Sequence, residues 1–125
     1  MESRSEGRSC AVLKRGDIVL VPFPFTDLTA EKLRPAVVIS PDPQRLDVII
    51  AFISSVVTPG EPSQTDYVLL PDSPAFAGTG LKKGSTFRMR KLLTIDRSRI
   101  ARRLGRVNPV LQNELDIRLR HALGL

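Results

Sequence analysis

The chain has 125 residues, a length that fits one domain built around a single core. Its hydrophobic share of 42% and charged share of 26% are ordinary for a globular protein and exclude disorder as the default state. The net charge of +6 favours an anionic partner. Apolar runs such as residues 48–53 fall far short of the roughly 20 residues that a membrane-spanning helix requires, so we expect no membrane association.

The first 14 residues show little periodicity, which predicts a mobile arm followed by one domain over residues 15–125. The start of this arm is polar and lacks the apolar stretch of a secretory signal, so we expect a cytoplasmic protein. Cys10 is the only cysteine, which excludes an internal disulfide and a cysteine-based metal cage within one chain. We expect no metal site and no cofactor.

Three strands are predicted in the first half of the chain. β-branched residues favour a strand over Asp17–Pro22, and Arg34–Ser40 reads as its hairpin partner, opening with Pro35. The continuous apolar run Asp47–Ser54 predicts a strand buried on both faces, at the centre of the sheet.

Two more strands are predicted further on, around residues 67–70 and over Ser85–Leu93. Alternation in the fifth strand puts three polar or cationic side chains on one face and two apolar ones on the other: Thr86, Arg88 and Arg90 against Phe87 and Met89. The intervening Gly78-Thr79-Gly80 is predicted to be a flexible turn, because it lacks the strand-to-helix setting of a nucleotide-binding loop.

The chain is predicted to close with a helix that Asn108 caps and Pro109 begins. One apolar stripe follows at helical spacing: Leu111, Leu115, Leu119, Ala122 and Leu123. Short strands plus one terminal helix indicate a mainly β protein, a compact barrel-like sheet with helical cover.

Positive charge is concentrated between residues 82 and 106, a stretch that contains ten basic residues and a single acidic one, Asp96. The ten are Lys82, Lys83, Arg88, Arg90, Lys91, Arg97, Arg99, Arg102, Arg103 and Arg106. This asymmetry is expected where a nucleic-acid backbone is neutralised, and a merely solvated basic surface is the alternative.

RNA can be cut by its own 2′-hydroxyl, provided that a base takes the proton and a cation stabilises the phosphorane. Arg34, held at the mouth of a strand, is a candidate cation, although it could instead pair with Asp17 or Glu31. Ser54 and Ser55 could bond a phosphate oxygen or end their strand for local reasons. The sole histidine, His121, sits in the predicted helix, which weakens any scheme based on a histidine pair.

Three stretches in this order resemble the MazF/PemK family of toxin endoribonucleases: Arg15–Val21, Leu33–Ser40 and Thr94–Ile100 with Leu104–Arg106 after them. The resemblance implies a small SH3-like barrel of the CcdB/PemK type, with short peripheral helices and a C-terminal helix. It also implies a homodimeric toxin that cuts single-stranded RNA without a metal. Its partner would be a cognate acidic antitoxin, and DNA would be bound only through the toxin–antitoxin complex.

The family's catalytic arginine matches Arg34, and a threonine at the end of its third strand matches Ser54, which keeps the hydroxyl. Some members add an arginine, matched by Arg88, and an aspartate two residues later. Arg90 occupies that aspartate position, so the resemblance leaves the general base open.

Asp27 or Glu31, in the first loop, could supply the missing base. The predicted RNA contacts are Phe25, Ser55, Lys82, Lys83, Arg88 and Arg90. Two other functions stay open, a non-catalytic RNA-binding barrel and a toxin of the same fold that poisons DNA gyrase.

Overall fold

The computed structural model describes residues 13–22, 32–41 and 46–125. Its strands are β1 (Asp17–Pro22), β2 (Leu33–Pro41), β3 (Asp47–Ser54), β4 (Asp66–Leu69), β5 (Ser85–Asp96) and β6 (Arg102–Arg106), and its α-helix is α1 (Pro109–Leu123). Two short 3-10 helices cover Ala77–Thr79 and Arg97–Arg99. The predictions for Cys10, Phe25, Asp27, Glu31 and most of the N-terminal arm lie outside the described residues.

The strands form one antiparallel sheet in the order β4-β5-β3-β2-β1-β6, curled into a half-barrel. The predicted mainly β barrel with a C-terminal helix is therefore confirmed. β3 lies inside the sheet as predicted, but Ile49 is 37% exposed, so its burial on both faces is incomplete. β6 was not predicted, because Arg102–Arg106 shows neither alternation nor β-branched residues.

Apolar side chains pack on both faces of the sheet. One cluster, which includes Ile18, Val37, Ala51 and Phe87, lies under α1 and contains its Leu111 and Leu115. Alternate residues of the same strands build a second cluster on the other face: Val19, Val21, Ala36, Val38, Val48 and Ile50, together with Leu13 and Ile100. Packing in the described chain thus starts at Leu13, two residues before the predicted domain boundary.

The helix begins as predicted. Asn108 caps it by accepting a 2.7 Å hydrogen bond from the Leu111 N–H, and Pro109 occupies the first helical position. The predicted stripe is buried at Leu111 and Leu115 and partly buried at Leu119, but Leu123 is 51% exposed. The stripe therefore packs on the sheet through its first three members, and its last member, Leu123, lies largely in solvent.

β5 is three residues longer than predicted and is sharply bent. Ala51 of β3 pairs with Leu92 and Ile53 pairs with Phe87, so one residue of β3 stands opposite four residues of β5. Such bulges kink a strand and redirect its side chains. The bend lets the first part of β5 pair with β4, and it places Arg88, Arg90 and Lys91 at an exposed corner of the sheet.

The Gly-Asp pair that opens β1 has a structural role. Gly16 has φ +92°, a conformation that side chains disfavour, and its N–H donates to the Val38 carbonyl over 2.9 Å. The next side chain, Asp17, is 2% exposed. It accepts a hydrogen bond from the Lys14 N–H and forms ion pairs with Arg103 and Arg106 at 3.2 and 3.3 Å. This carboxylate therefore joins the start of β1 to β6.

The predicted flexible turn at residues 78–80 is instead a packed segment. Thr79 is fully buried, and its hydroxyl donates to the Phe76 carbonyl over 2.6 Å. The segment approaches β6 so closely that a Cβ on Gly105 would lie only 2.5 Å from the Gly78 carbonyl oxygen. Glycine at position 105 thus permits the segment to cover the edge of β6, a long-range contact that local composition did not reveal.

Candidate active site and nucleic-acid interface

Arg34 and Ser54 lie at the same end of two neighbouring strands. The β2–β3 ladder ends with the pair Ala36 and Phe52, and Arg34 and Ser54 each lie two residues beyond it. On the outer sides, Arg34 pairs with Val21 of β1 and Ser54 with Thr86 of β5. We call the end of the sheet that carries Arg34, Ser54 and Thr86 the rim.

Alternation directs the Arg34 and Ser54 side chains to one face of the sheet. Arg34 shares its face with Ala36 and Val38, and Ser54 shares its face with Ile50 and Phe52. All four of these neighbours belong to, or pack on, the second apolar cluster.

Arg34 is partly buried, and its Nε atom is shielded from solvent. The inner end of its guanidinium is thus packed against the protein. A cation that must stabilise a transition state requires support of this kind.

The Ser54 hydroxyl is oriented by the backbone beyond its strand. Its Oγ accepts a hydrogen bond from the Val56 N–H over 3.1 Å, while the Thr86 hydroxyl donates to the Val56 carbonyl over 2.8 Å. Val56 is thereby held from both sides of the rim. Because Ser54 Oγ acts as the acceptor, its own hydrogen is left for donation to a ligand oxygen.

Arg88 has a carboxylate beside it that the sequence did not reveal. Asp66 is its register partner on β4, and the Asp66 Oδ2 atom lies 3.8 Å from Arg88 Nε. The Asp66 carboxylate thus places negative charge near Arg88 from a neighbouring strand. No sequence signal reports such a cross-strand pair. As predicted, Arg88 and Arg90 are exposed, whereas Phe87 and Met89 are buried.

A cavity of about 270 Å³ opens at the rim, on the face of the sheet opposite to the side chains of Arg34 and Ser54. Three predicted RNA contacts, Ser55, Lys82 and Lys83, lie together in its wall, along with Pro35 and Arg102. Pro35 and Ser55 alternate with Arg34 and Ser54, which is why the two groups occupy opposite faces. We call this space the rim cavity. The contribution of Arg102 was missed because nothing in the basic run distinguishes its members.

Other polar residues singled out in the sequence lie elsewhere. Arg103 and Arg106 bind Asp17, and His121 is exposed in the last turn of α1. Within the described ranges, no three His, Cys, Asp or Glu side chains are grouped so as to hold a metal ion. Among the same residues, no helix has the length and apolarity needed to span a membrane.

Fold and site together describe a small basic protein with a curled half-barrel sheet, whose rim brings an arginine and two hydroxyl groups to the same strand ends. Residues 14–123 match the model of the PemK-like, MazF-like toxins of type II toxin–antitoxin systems. The chain belongs to this family. None of the curated proteins matches it.

Solved structures share the fold at low sequence identity. An endoribonuclease from a mycobacterial species, in complex with its cognate antitoxin, is 20% identical over 91% of this chain and 97% of its own, with a TM-score of 0.64. The Mycobacterium tuberculosis toxin MazF-mt6 is 19% identical over 87% and 97%, with a TM-score of 0.68. MazE-MazF from Deinococcus radiodurans is 22% identical over 91% of this chain and 97% of its own, with a TM-score of 0.69.

Proposed function

We propose that this toxin is an endoribonuclease that cleaves single-stranded RNA by attack of the 2′-hydroxyl, without a metal ion. The observation that carries the proposal is the placement of Arg34, partly buried at the rim and at the same strand ends as the Ser54 hydroxyl. Membership of the toxin family supports it, as do related structures described as endoribonucleases.

In the proposed reaction the 2′-oxygen bonds to phosphorus while the bond from phosphorus to the 5′-oxygen breaks. Arg34 stabilises the charge that develops on the phosphorane oxygens, since its planar fork can bond two of them. Ser54 donates its hydroxyl hydrogen to a phosphate oxygen, and Arg88 contacts the neighbouring backbone. The leaving 5′-oxygen takes a proton from water, so the products are a cyclic phosphate and a 5′-hydroxyl.

The base that removes the 2′-proton is proposed to be Asp27 or Glu31, because Arg90 stands where some relatives carry an aspartate. Rate measurements across pH with Asp27→Asn and Glu31→Gln test this assignment. Loss of the acidic limb of the profile in one variant identifies the base. Unchanged profiles in both variants remove the two residues from the mechanism.

The proposed assembly follows the family. We propose a homodimer that acts in the cytoplasm and is neutralised by an acidic antitoxin whose extended segment occupies the RNA groove. The basic residues Lys82, Lys83, Arg88 and Arg90, with Ser55 and Phe25, are proposed to contact RNA. DNA is bound only through the toxin–antitoxin complex.

A cleavage assay on long single-stranded RNA in excess EDTA tests the activity. The parent should cut, whereas Arg34→Ala should lose about 10²–10³-fold in rate, as when one transition-state donor is removed. Arg120→Ala is the matched control, since Arg120 is exposed at the far end of α1.

Two outcomes favour other functions. Intact RNA with a gel shift indicates a non-catalytic RNA-binding barrel, an alternative favoured by Arg90 and by serine at position 54. Intact RNA without a shift, together with trapped gyrase complexes, indicates a gyrase poison.

A further inference from the structure

A second, larger cleft lies at the opposite end of β1 from the rim. It has a volume of about 750 Å³ and is open to solvent. Arg15, Arg103 and Arg106 line it, together with Asn108 and Gln112 at the start of α1. We call it the arginine cleft.

The arginine cleft keeps positive charge after its internal ion pairs are formed. Arg103 and Arg106 share the single carboxylate of Asp17, and Arg15 lies 2.6 Å from an Asp116 oxygen. Three guanidinium groups thus face two carboxylates. Their side chains are 39–45% exposed, and each guanidinium has five N–H donors, so donors remain for a bound anion.

The arginine cleft and the rim cavity border the same strand. Arg102 lines the rim cavity, and the next residue, Arg103, lines the arginine cleft. Residues 78–80, which cover the edge of β6, separate the two spaces. Gly80 lines the rim cavity, and Gly78 lines the arginine cleft. Arg103 pairs with Val19 of β1 and Arg34 pairs with Val21, two residues further along the same strand. Alternation therefore turns Arg103 and Arg34 to the same face of the sheet, so a strand bound at Arg34 can continue toward the arginine cleft across that face.

We propose that the arginine cleft is a second contact site for the phosphate backbone of the RNA strand that is cut at the rim. This inference rests on the proposed function. Arginine forks bind phosphates in pairs of hydrogen bonds, and the N-terminus of α1 adds a favourable dipole. RNA is favoured over an acidic peptide because Arg103 in the cleft lies on the same face of the sheet as Arg34 at the proposed cleavage site. The cleft thus binds flanking nucleotides, and its contribution depends on RNA length.

Arg15→Ala is the variant that tests the cleft, because Arg15 does not contact Asp17. Binding is measured with fully 2′-O-methylated oligonucleotides, which lack the attacking hydroxyl, of about 5 and about 16 nucleotides, the range covered by single-strand-binding barrels. For the long oligonucleotide we expect weaker binding and a slope of log K against log salt that is smaller by about 0.7. For the short oligonucleotide and for the Arg120→Ala control we expect no change.

Arg15→Glu should enlarge the loss for the long oligonucleotide. Urea denaturation should show both variants folded, with only the small loss that breaking the exposed pair with Asp116 entails. Equal losses for both lengths, or no loss for either, overturn the proposal. A variant that keeps its affinity for RNA but loses its affinity for polyglutamate would also overturn the proposal, because the cleft would then bind an acidic protein. Failure of the proposed cleavage is seen separately, as RNA that stays uncut while the length-dependent binding loss persists.

Discussion

The arginines at the two ends of β1 are chemically identical but are used differently. At one end, Arg103 and Arg106 surround the buried carboxylate of Asp17 and hold β6 to β1. At the other end, Arg34 lies at the same strand ends as Ser54, on the face of the sheet that carries the second apolar cluster. Substitution of Arg103 or Arg106 should therefore affect folding, whereas substitution of Arg34 should affect RNA cleavage.

The largest effect on stability is expected from Asp17→Asn. It removes the carboxylate that faces two guanidinium groups, and breaking a buried charge pair commonly costs several kcal/mol. Because both arginines are partly solvated, we expect a loss of about 2–3 kcal/mol in the free energy of unfolding. Urea denaturation measures it.

Asp116→Asn is the matched control, since it breaks only the exposed pair with Arg15. It should cost less than about 1 kcal/mol. Equal losses in the two variants would contradict the structural role of the buried carboxylate.

At the rim, Ser54→Ala should slow cleavage about tenfold, the value of one hydrogen bond to a charged group. Ser54→Thr should retain the rate, because the hydroxyl stays and the added methyl restricts its rotamer. Single-turnover rates on one RNA compare the two variants. A slow threonine variant with an active alanine variant would exclude the hydroxyl from the reaction.

Smaller effects are expected in the rim cavity. Lys82→Ala and Lys83→Ala should each reduce the salt slope of RNA binding by about 0.7, as one lost phosphate contact does. Both side chains are exposed, so the free energy of unfolding should stay within about 0.5 kcal/mol. Unaltered slopes in both variants would place the RNA elsewhere.

The smallest effect concerns Asp96, which caps the second 3-10 helix by accepting a 2.9 Å hydrogen bond from the Ser98 N–H. That backbone hydrogen bond, with a second from the Ser98 side chain, lowers the pKa of Asp96 from its ordinary 3.8. Its contribution to stability is thus present above the ordinary value and is lost as pH falls through the lowered one. NMR titration of the carboxyl measures the pKa.

Ser98→Ala separates the two causes of this shift. The pKa should rise but remain below the ordinary value, because the backbone donor is retained. An Asp96 that titrates at its ordinary value in the unmodified protein would show that the cap does not form in solution.

Local sequence features predicted most of the strands and the start of the helix. β-branched runs gave β1 and β3 with the observed bounds, and Asn108-Pro109 gave the first turn of α1. Features that depend on a distant partner were missed, namely β6, the bend in β5, and the segment held against Gly105.

The sequence by itself determined the basic charge, the strand pattern and the arginine-proline opening of β2, since these depend on residue type and spacing along the chain. Only the tertiary structure decided which cations are bound to a carboxylate and which line a cavity. Arg102 and Arg103 are neighbours in the chain, yet one lines the rim cavity and the other binds Asp17. Strand pairing and alternation assign their surroundings, and both arise from contacts between residues far apart in sequence.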